Sequence, residues 1–280
     1  MRIGFHVSIH GSIDTSVDRA IELNCNTFQI FTRNPRQWTA TQLTPETAKA
    51  FFDKVKKHDI EPVFAHMPYL PNLASPKDEV YDKSVKTLTS ELERCRQLEI
   101  PYLVTHLGSH LGAGMQAGFM KLISGINQAF NDTDGDVMLL LENTAGTRNS
   151  MGSTFEDIQH IIEQLSSPER VGVCFDTSHA FAAGYDLRTE DAVEATVRKI
   201  DEVIGFERLK LVHLNDSKGD LNSGIDRHEH IGMGKIGEEG FRNILGSRLG
   251  KLPLILETPK DTRRSDVGNL MKVKELAVGL

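Results

Sequence analysis

Cysteine is scarce: Cys25, Cys95 and Cys174 are odd in number, far apart and in no paired spacing. They support neither a disulfide framework nor a thiolate zinc site, and they fit reducing surroundings. Long apolar runs are missing too, since no stretch approaches the roughly 20 apolar residues that span a bilayer. Met1-Arg2-Ile3-Gly4 leads straight into a strand-like run rather than a signal peptide. A soluble, intracellular protein without membrane contact is expected. Positive charge is also in short supply, for the formal net charge is −7, which argues against coating nucleic acid by bulk attraction. That sum omits bound cations and says nothing of a local site. Low-complexity segments and linkers rich in Pro or Ser are absent.

What the chain does have is a repeated unit. With 280 residues and 39% hydrophobic composition it can bury a sizeable core. Short apolar runs at 2–7, 26–31, 61–66, 101–106, 136–142, 170–176, 209–214 and 252–257 alternate with helix-period stretches. Helix starts are expected at Thr44-Pro45, at Ser75-Pro76, and at the capping-box pattern Ser153-Thr154-Phe155-Glu156. Eight strand–helix units in a chain near the roughly 250 residues usual for the fold point to an α/β protein, a (β/α)8 TIM barrel forming a single domain over 1–280. A doubly wound open sheet is the alternative, but its glycine-rich phosphate fingerprint is missing after the first strand.

The strand ends carry the chemistry. His66, His106, Glu142, Asp176, His213 and Glu257 each stand at the last or nearly last position of a run. In a barrel the carboxyl ends of all strands open onto one face, so these side chains would converge there. Taken singly, each is as easily a polar strand end facing solvent; recurrence at one position of a repeating unit favours a metal centre. Residues two apart share a side of a strand, which puts Cys174 beneath Asp176 and Leu211 beneath His213 as inner-layer fillers. The loop after the sixth run adds His179, and the long 215–236 loop adds Asp226 and His228. Five histidines and four carboxylates exceed the needs of one ion, so two or three are implied, and the imidazoles argue against a pure magnesium site.

Nine segments span almost the whole chain: FHVS at 5–8, RNPRQW at 33–38, AHMPYLPNLASP at 65–76, THLGSHLGAG at 105–114, LLENTAG at 140–146, FDTSHAFAAGYD at 175–186, HLNDSK at 213–218, DRHEHIGMGKIG at 226–237 and LETP at 256–259. Taken together they resemble the endonuclease IV family of apurinic/apyrimidinic (AP) endonucleases. The resemblance implies a (β/α)8 barrel with three zinc ions per chain that cleaves double-stranded DNA on the 5′ side of abasic sites. His66, His106 and Glu142 would hold the first zinc. Glu142 would bridge to the second, with Asp176, His213 and Glu257, and His179, Asp226 and His228 would hold the third. Leu107, where many relatives are expected to carry proline, and Glu229-His230 depart from the family pattern without touching a ligand position. They bear on the roles of His110 and His230, for which structural hydrogen bonds are expected; His6 has no assigned role.

Catalysis is expected of Glu257, orienting the attacking water, and of Glu142 beside it, with 3′-hydroxyl and 5′-deoxyribose phosphate ends as products and removal of 3′-blocking groups as a further activity. Arg36 and Tyr69 resemble the family's DNA-penetrating residues, with Gln37 and Trp38 beside them, although Trp38 is as readily a loop residue packed on the barrel. Arg33, Lys218, Arg227 and Lys235 are candidate phosphate partners, with a solvated charge the safer reading of each. A monomer acting in the cytoplasm, at the nucleoid if prokaryotic, is expected. Two rivals stand. Glu142, Asp176, His213 and Glu257 alone resemble the one-metal site of sugar isomerases and epimerases on xylose-isomerase-like barrels, which would leave five ligands idle. A noncatalytic protein that binds damaged DNA would leave the whole set without a purpose.

Overall fold

Each of the eight apolar runs forms a strand in the computed structural model, which describes residues 1–279. They are β1 (Ile3–Phe5), β2 (Phe28–Phe31), β3 (Val63–His66), β4 (Tyr102–His106), β5 (Met138–Glu142), β6 (Val171–Asp176) and β7 (Leu209–His213), then β10 (Leu254–Leu256) after a small antiparallel hairpin of β8 (Asp216–Ser217) and β9 (His228–Glu229). All eight lie parallel in the order β1-β10-β7-β6-β5-β4-β3-β2. A parallel bridge between His6 and Gln29, with Val7 N–H donating to Gln29 O at 2.8 Å, joins β1 to β2 and closes the ring. That seam is tight. A Cβ added at Gly4 would lie 1.7 Å from the Thr27 carbonyl oxygen, so only glycine fits.

Nine helices wrap the ring among the described residues: α1 (Thr15–Glu22), α2 (Pro45–His58), α3 (Asp78–Gln97), α4 (Met115–Asn131), α5 (Phe155–Gln164), α6 (Thr177–Ala182), α7 (Glu190–Val203), α8 (Gly237–Gly246) and α9 (Asp266–Leu276). None is long and apolar enough to cross a membrane. Thr44 caps α2 by accepting from Thr47 N–H at 3.2 Å, with Pro45 in the first turn, a contact worth about 1 kcal/mol. Two helix starts differ from expectation. Ser75 Oγ accepts from Lys77 N–H and closes a turn, which delays α3 to Asp78. At α5 the cap is Thr154, bonded to Asp157 N–H at 3.1 Å, one residue later than the Ser153 pattern suggests.

Inside the ring, Phe64, Val104, Leu140, Cys174, Leu211 and Ile255 are all fully buried and form one apolar layer. Each stands two residues before a polar strand-end residue, so strand alternation alone places this layer directly beneath the mouth. Fully burying each such aliphatic or aromatic side chain contributes roughly 2 kcal/mol. Burial also pushes the Cys174 thiol up to about 12, which leaves it a packing residue rather than a nucleophile.

Candidate metal centre

Register fixes the rim. His106 on β4 lies opposite Glu142 on β5, Asp176 on β6 lies opposite His213 on β7, and Glu257 follows β10 directly. Glu142, fully enclosed, is the hub. Its Oε2 lies 3.2 Å from His66 Nε2 and 3.1 Å from His106 Nε2, and its Oε1 lies 3.0 Å from His213 Nδ1. Three groups of ligand atoms, each within 4.8 Å of one another, result: His66, His106 and Glu142; Glu142, Asp176, His213 and Glu257; and Asp176, His179 and His228. Asp226 reaches the last group from the exposed loop, with Oδ1 3.2 Å from His179 Nε2 and 4.0 Å from His228 Nε2. Asp176 thus contributes to two groups, where the family resemblance assigns it one.

Ring orientation makes these groups fit cations. His66 Nδ1 faces the Met67 carbonyl oxygen at 2.7 Å, His179 Nδ1 that of Asn143 at 2.9 Å, and His228 Nδ1 that of Glu257 at 3.0 Å. His213 Nε2 faces the Gln29 side-chain oxygen at 2.9 Å. A carbonyl accepts only, so each of these nitrogens carries the proton and the opposite nitrogen is directed into the centre, the usual arrangement of metal-ligating histidine. His228 Nε2 is buried with no hydrogen-bond partner, an orphan that a cation would satisfy.

Without cations, protons hold the carboxylates together. Burial opposes the charge on Glu142, but His106 and His213 outweigh it and hold its carboxyl well below the ordinary range. Burial likewise opposes the charged form of His179, yet the Asp176 carboxylate, the bond to Asp226 and the charge of Glu142 raise it to about 10.

His179 lies not in a loop but in the first turn of α6, whose cap is Asp176, accepting from His179 N–H at 2.8 Å. Asn143 and Asn215 brace the centre, and sequence reasoning passed over both. Asn143 exchanges two bonds with the Asp176 backbone, and Asn215 donates to Asp176 Oδ2 while accepting from Glu257 N–H, each of those last two at 2.8 Å. Each follows a ligand closely, which was the available signal. His230 lies outside the groups, between Asp261 and Asn269, and His110 accepts from Gly112 and Gly114 N–H within its own loop.

A cleft of about 380 Å³ opens over the centre, lined by His66, His106, His179, His228 and Glu257 and, at its rim, Tyr69. Tyr69 is 65% exposed, packs edge-on against Phe31 at 5.0 Å, and donates its N–H to Pro35 O. It therefore shares a rim with Arg36 and Gln37, both exposed. Trp38 is half-buried, with Lys83 Nζ 5.9 Å from its ring centre. Arg33 corrects an expectation: it is only 5% exposed and pairs with the wholly buried Glu91, so it is unavailable to a phosphate. Lys235 pairs with Asp220 at 3.3 Å, while Lys218 and Arg227 are exposed.

A barrel with ligands at its strand ends is the class this geometry defines, and the family model described as a xylose isomerase-like TIM barrel matches residues 17–275. The probable endonuclease 4 of Methanoculleus marisnigri is 58% identical over 277 residues, covering 98% of each chain. That of Nitrosopumilus maritimus is 55% identical over 280 residues, covering 99% of this chain and all of its own. The chain belongs to the endonuclease IV family. The crystal structure of endonuclease IV from Thermus thermophilus superposes with a TM-score of 0.88 at 34% identity, covering 99% of this chain and 98% of that one. A D-tagatose 3-epimerase-like protein shares the fold, with a TM-score of 0.73 at 22% identity and coverage of 98% and 96%.

Proposed function

We propose that this chain is an AP endonuclease that hydrolyses the phosphodiester 5′ to an abasic site in double-stranded DNA, leaving 3′-hydroxyl and 5′-deoxyribose phosphate ends. The observation that carries the reading is the sharing of Glu142 between two of three adjacent ligand groups at the barrel mouth. Three zinc ions are proposed: one on His66, His106 and Glu142, one on Glu142, Asp176, His213 and Glu257, and one on His179, Asp226 and His228. Clustered zinc lowers the pKa of bound water toward neutrality and neutralises the attacking and leaving oxygens of an in-line displacement. Six positive charges against four ligand carboxylates make an electropositive site on an acidic protein, as a phosphate requires.

The chain's own groups supply position. Glu257 orients the water, and Glu142 holds the neighbouring imidazoles in register. Tyr69 and Arg36, on one rim, are suited to entering a duplex opened at a missing base, with Gln37 and Trp38 flanking them. The same exposed cleft would admit 3′-blocking groups, whose removal is proposed as a second activity. A sugar isomerase reading leaves His66, His106, His179, Asp226 and His228 without work.

Zinc content by emission spectrometry, measured alongside cleavage of an abasic-site duplex with and without chelator, tests the proposal. About three zinc per chain and chelator-sensitive nicking are expected. One manganese or magnesium per chain without nicking would favour the isomerase, and duplex binding without nicking a passive damage binder.

A further inference from the structure

We propose that His6, which belongs to none of the three ligand groups, is a positioning residue for Glu257: with Gln29 it fixes one carboxylate oxygen so that the other faces the centre. His6 follows β1 directly, where other strands carry their ligands. Its Nδ1 lies 3.0 Å from Glu257 Oε1 and 2.9 Å from Gln29 Nε2, and Gln29 Nε2 donates to that same carboxylate oxygen at 2.8 Å. Gln29 Oε1 accepts from His213 Nε2 at 2.9 Å, which sets the amide's orientation. Two nitrogens thus lie against Oε1, the Gln29 amide as a donor and His6 Nδ1 beside it. Oε2, 3.5 Å from His213 Nδ1, is left to the centre.

The remaining nitrogen favours a proton on Nδ1. His6 Nε2 is buried and has no hydrogen-bond partner, which suits a bare lone pair far better than an N–H, since a buried unpaired donor is rare. The ring packs on Phe31 at 4.2 Å between centres, which keeps Nδ1 aimed at the carboxylate. His6 and Gln29 are also the two residues that bridge the barrel's seam. Glu257 is therefore tied to the closure of the ring itself.

This inference rests on Glu257 being a metal ligand that orients water. The test pairs His6→Phe, which keeps the ring against Phe31 but has no donor, with His6→Asn, whose amide N–H reaches toward the place of Nδ1. The zinc-loaded proteins are compared for kcat and KM on an abasic-site duplex and for the rate of zinc transfer to a chromogenic chelator. His6→Phe is expected to lower kcat about 10-fold to 100-fold with KM little changed, and to release one zinc faster by a similar factor. His6→Asn should recover most of both. Wild-type values in His6→Phe, or equal impairment in the two variants, would overturn the inference. If the wild-type protein binds zinc but does not nick, the nuclease reading falls while the chelator rates still decide the role of His6.

Discussion

Asp176 divides its carboxylate between two tasks with His179: Oδ1 caps α6 at the His179 N–H, 2.8 Å away, while Oδ2 faces the ligand centre beside His228 Nε2 at 3.6 Å. One residue thereby sets both the start of the helix and the position of the imidazole it carries. Asp176→Asn keeps a capping oxygen and loses the charge, so about one metal per chain should be lost from a folded protein. Asp176→Ala should also lower the melting point of the metal-free form, by an amount equivalent to about 1 kcal/mol. Full metal content in Asp176→Asn would contradict the shared role.

Glu257→Gln should lower turnover by about two to four orders of magnitude while duplex affinity changes little. Steady-state kinetics and equilibrium binding on the metal-replete variant separate the two effects. Unchanged turnover would remove Glu257 from the chemistry.

Metal binding should tighten as the pH rises. Burial disfavours the His179 cation, but Asp176, Asp226 and Glu142 raise its pKa to about 10. In the metal-free protein the ring is therefore doubly protonated at neutral pH, and a cation must displace one of those protons. Competition is full well below that pKa and fades as the pH climbs through it. Adding zinc to metal-free protein in weak buffer at neutral pH should release protons. An affinity that stayed constant between about pH 6 and about pH 9 would count against the ligand set.

Tyr69→Ala should cut the preference for abasic over intact duplex by about tenfold, the worth of one aromatic stacking contact. The ratio of the two dissociation constants at fixed salt reads this directly. An unchanged ratio would exclude Tyr69 from damage recognition.

Arg33 and Arg36, three residues apart, should behave as opposites. Arg33→Ala leaves Glu91 charged and enclosed, a loss of about 3–5 kcal/mol seen as a lower melting point. Arg36→Ala should leave stability alone and reduce the salt slope of DNA binding by about one. Equal salt slopes in wild type and Arg36→Ala would place Arg36 away from phosphate.

Strand ends were the most legible part of the chain, because His66, His106, Glu142, Asp176 and His213 recur at one position of a repeating unit and period-two alternation puts a filler beneath each. The bracing residues were less so. Gln29 is the single polar side chain in β2, and its partners His6, His213 and Glu257 lie in three other strand ends, so nothing local marks it. Arg33 misled for a different reason: an arginine in a polar loop reads as solvated until the buried Glu91, 58 residues away, is known to face it. His179 was visible as a candidate ligand, but its short helix was not, since the cap of α6, Asp176, reads from sequence as a strand-end ligand candidate rather than as a helix start.

The apolar layer of Phe64, Val104, Leu140, Cys174, Leu211 and Ile255 has a kinetic consequence. It lies beneath the strand ends as a fully buried apolar floor, so ions held at those ends would exchange with solvent through the mouth. A duplex seated on the Tyr69 rim would cover that same opening. Scavenging of metal and engagement of substrate then compete for one doorway, and a scavenger would strip the enzyme between encounters with DNA rather than during them.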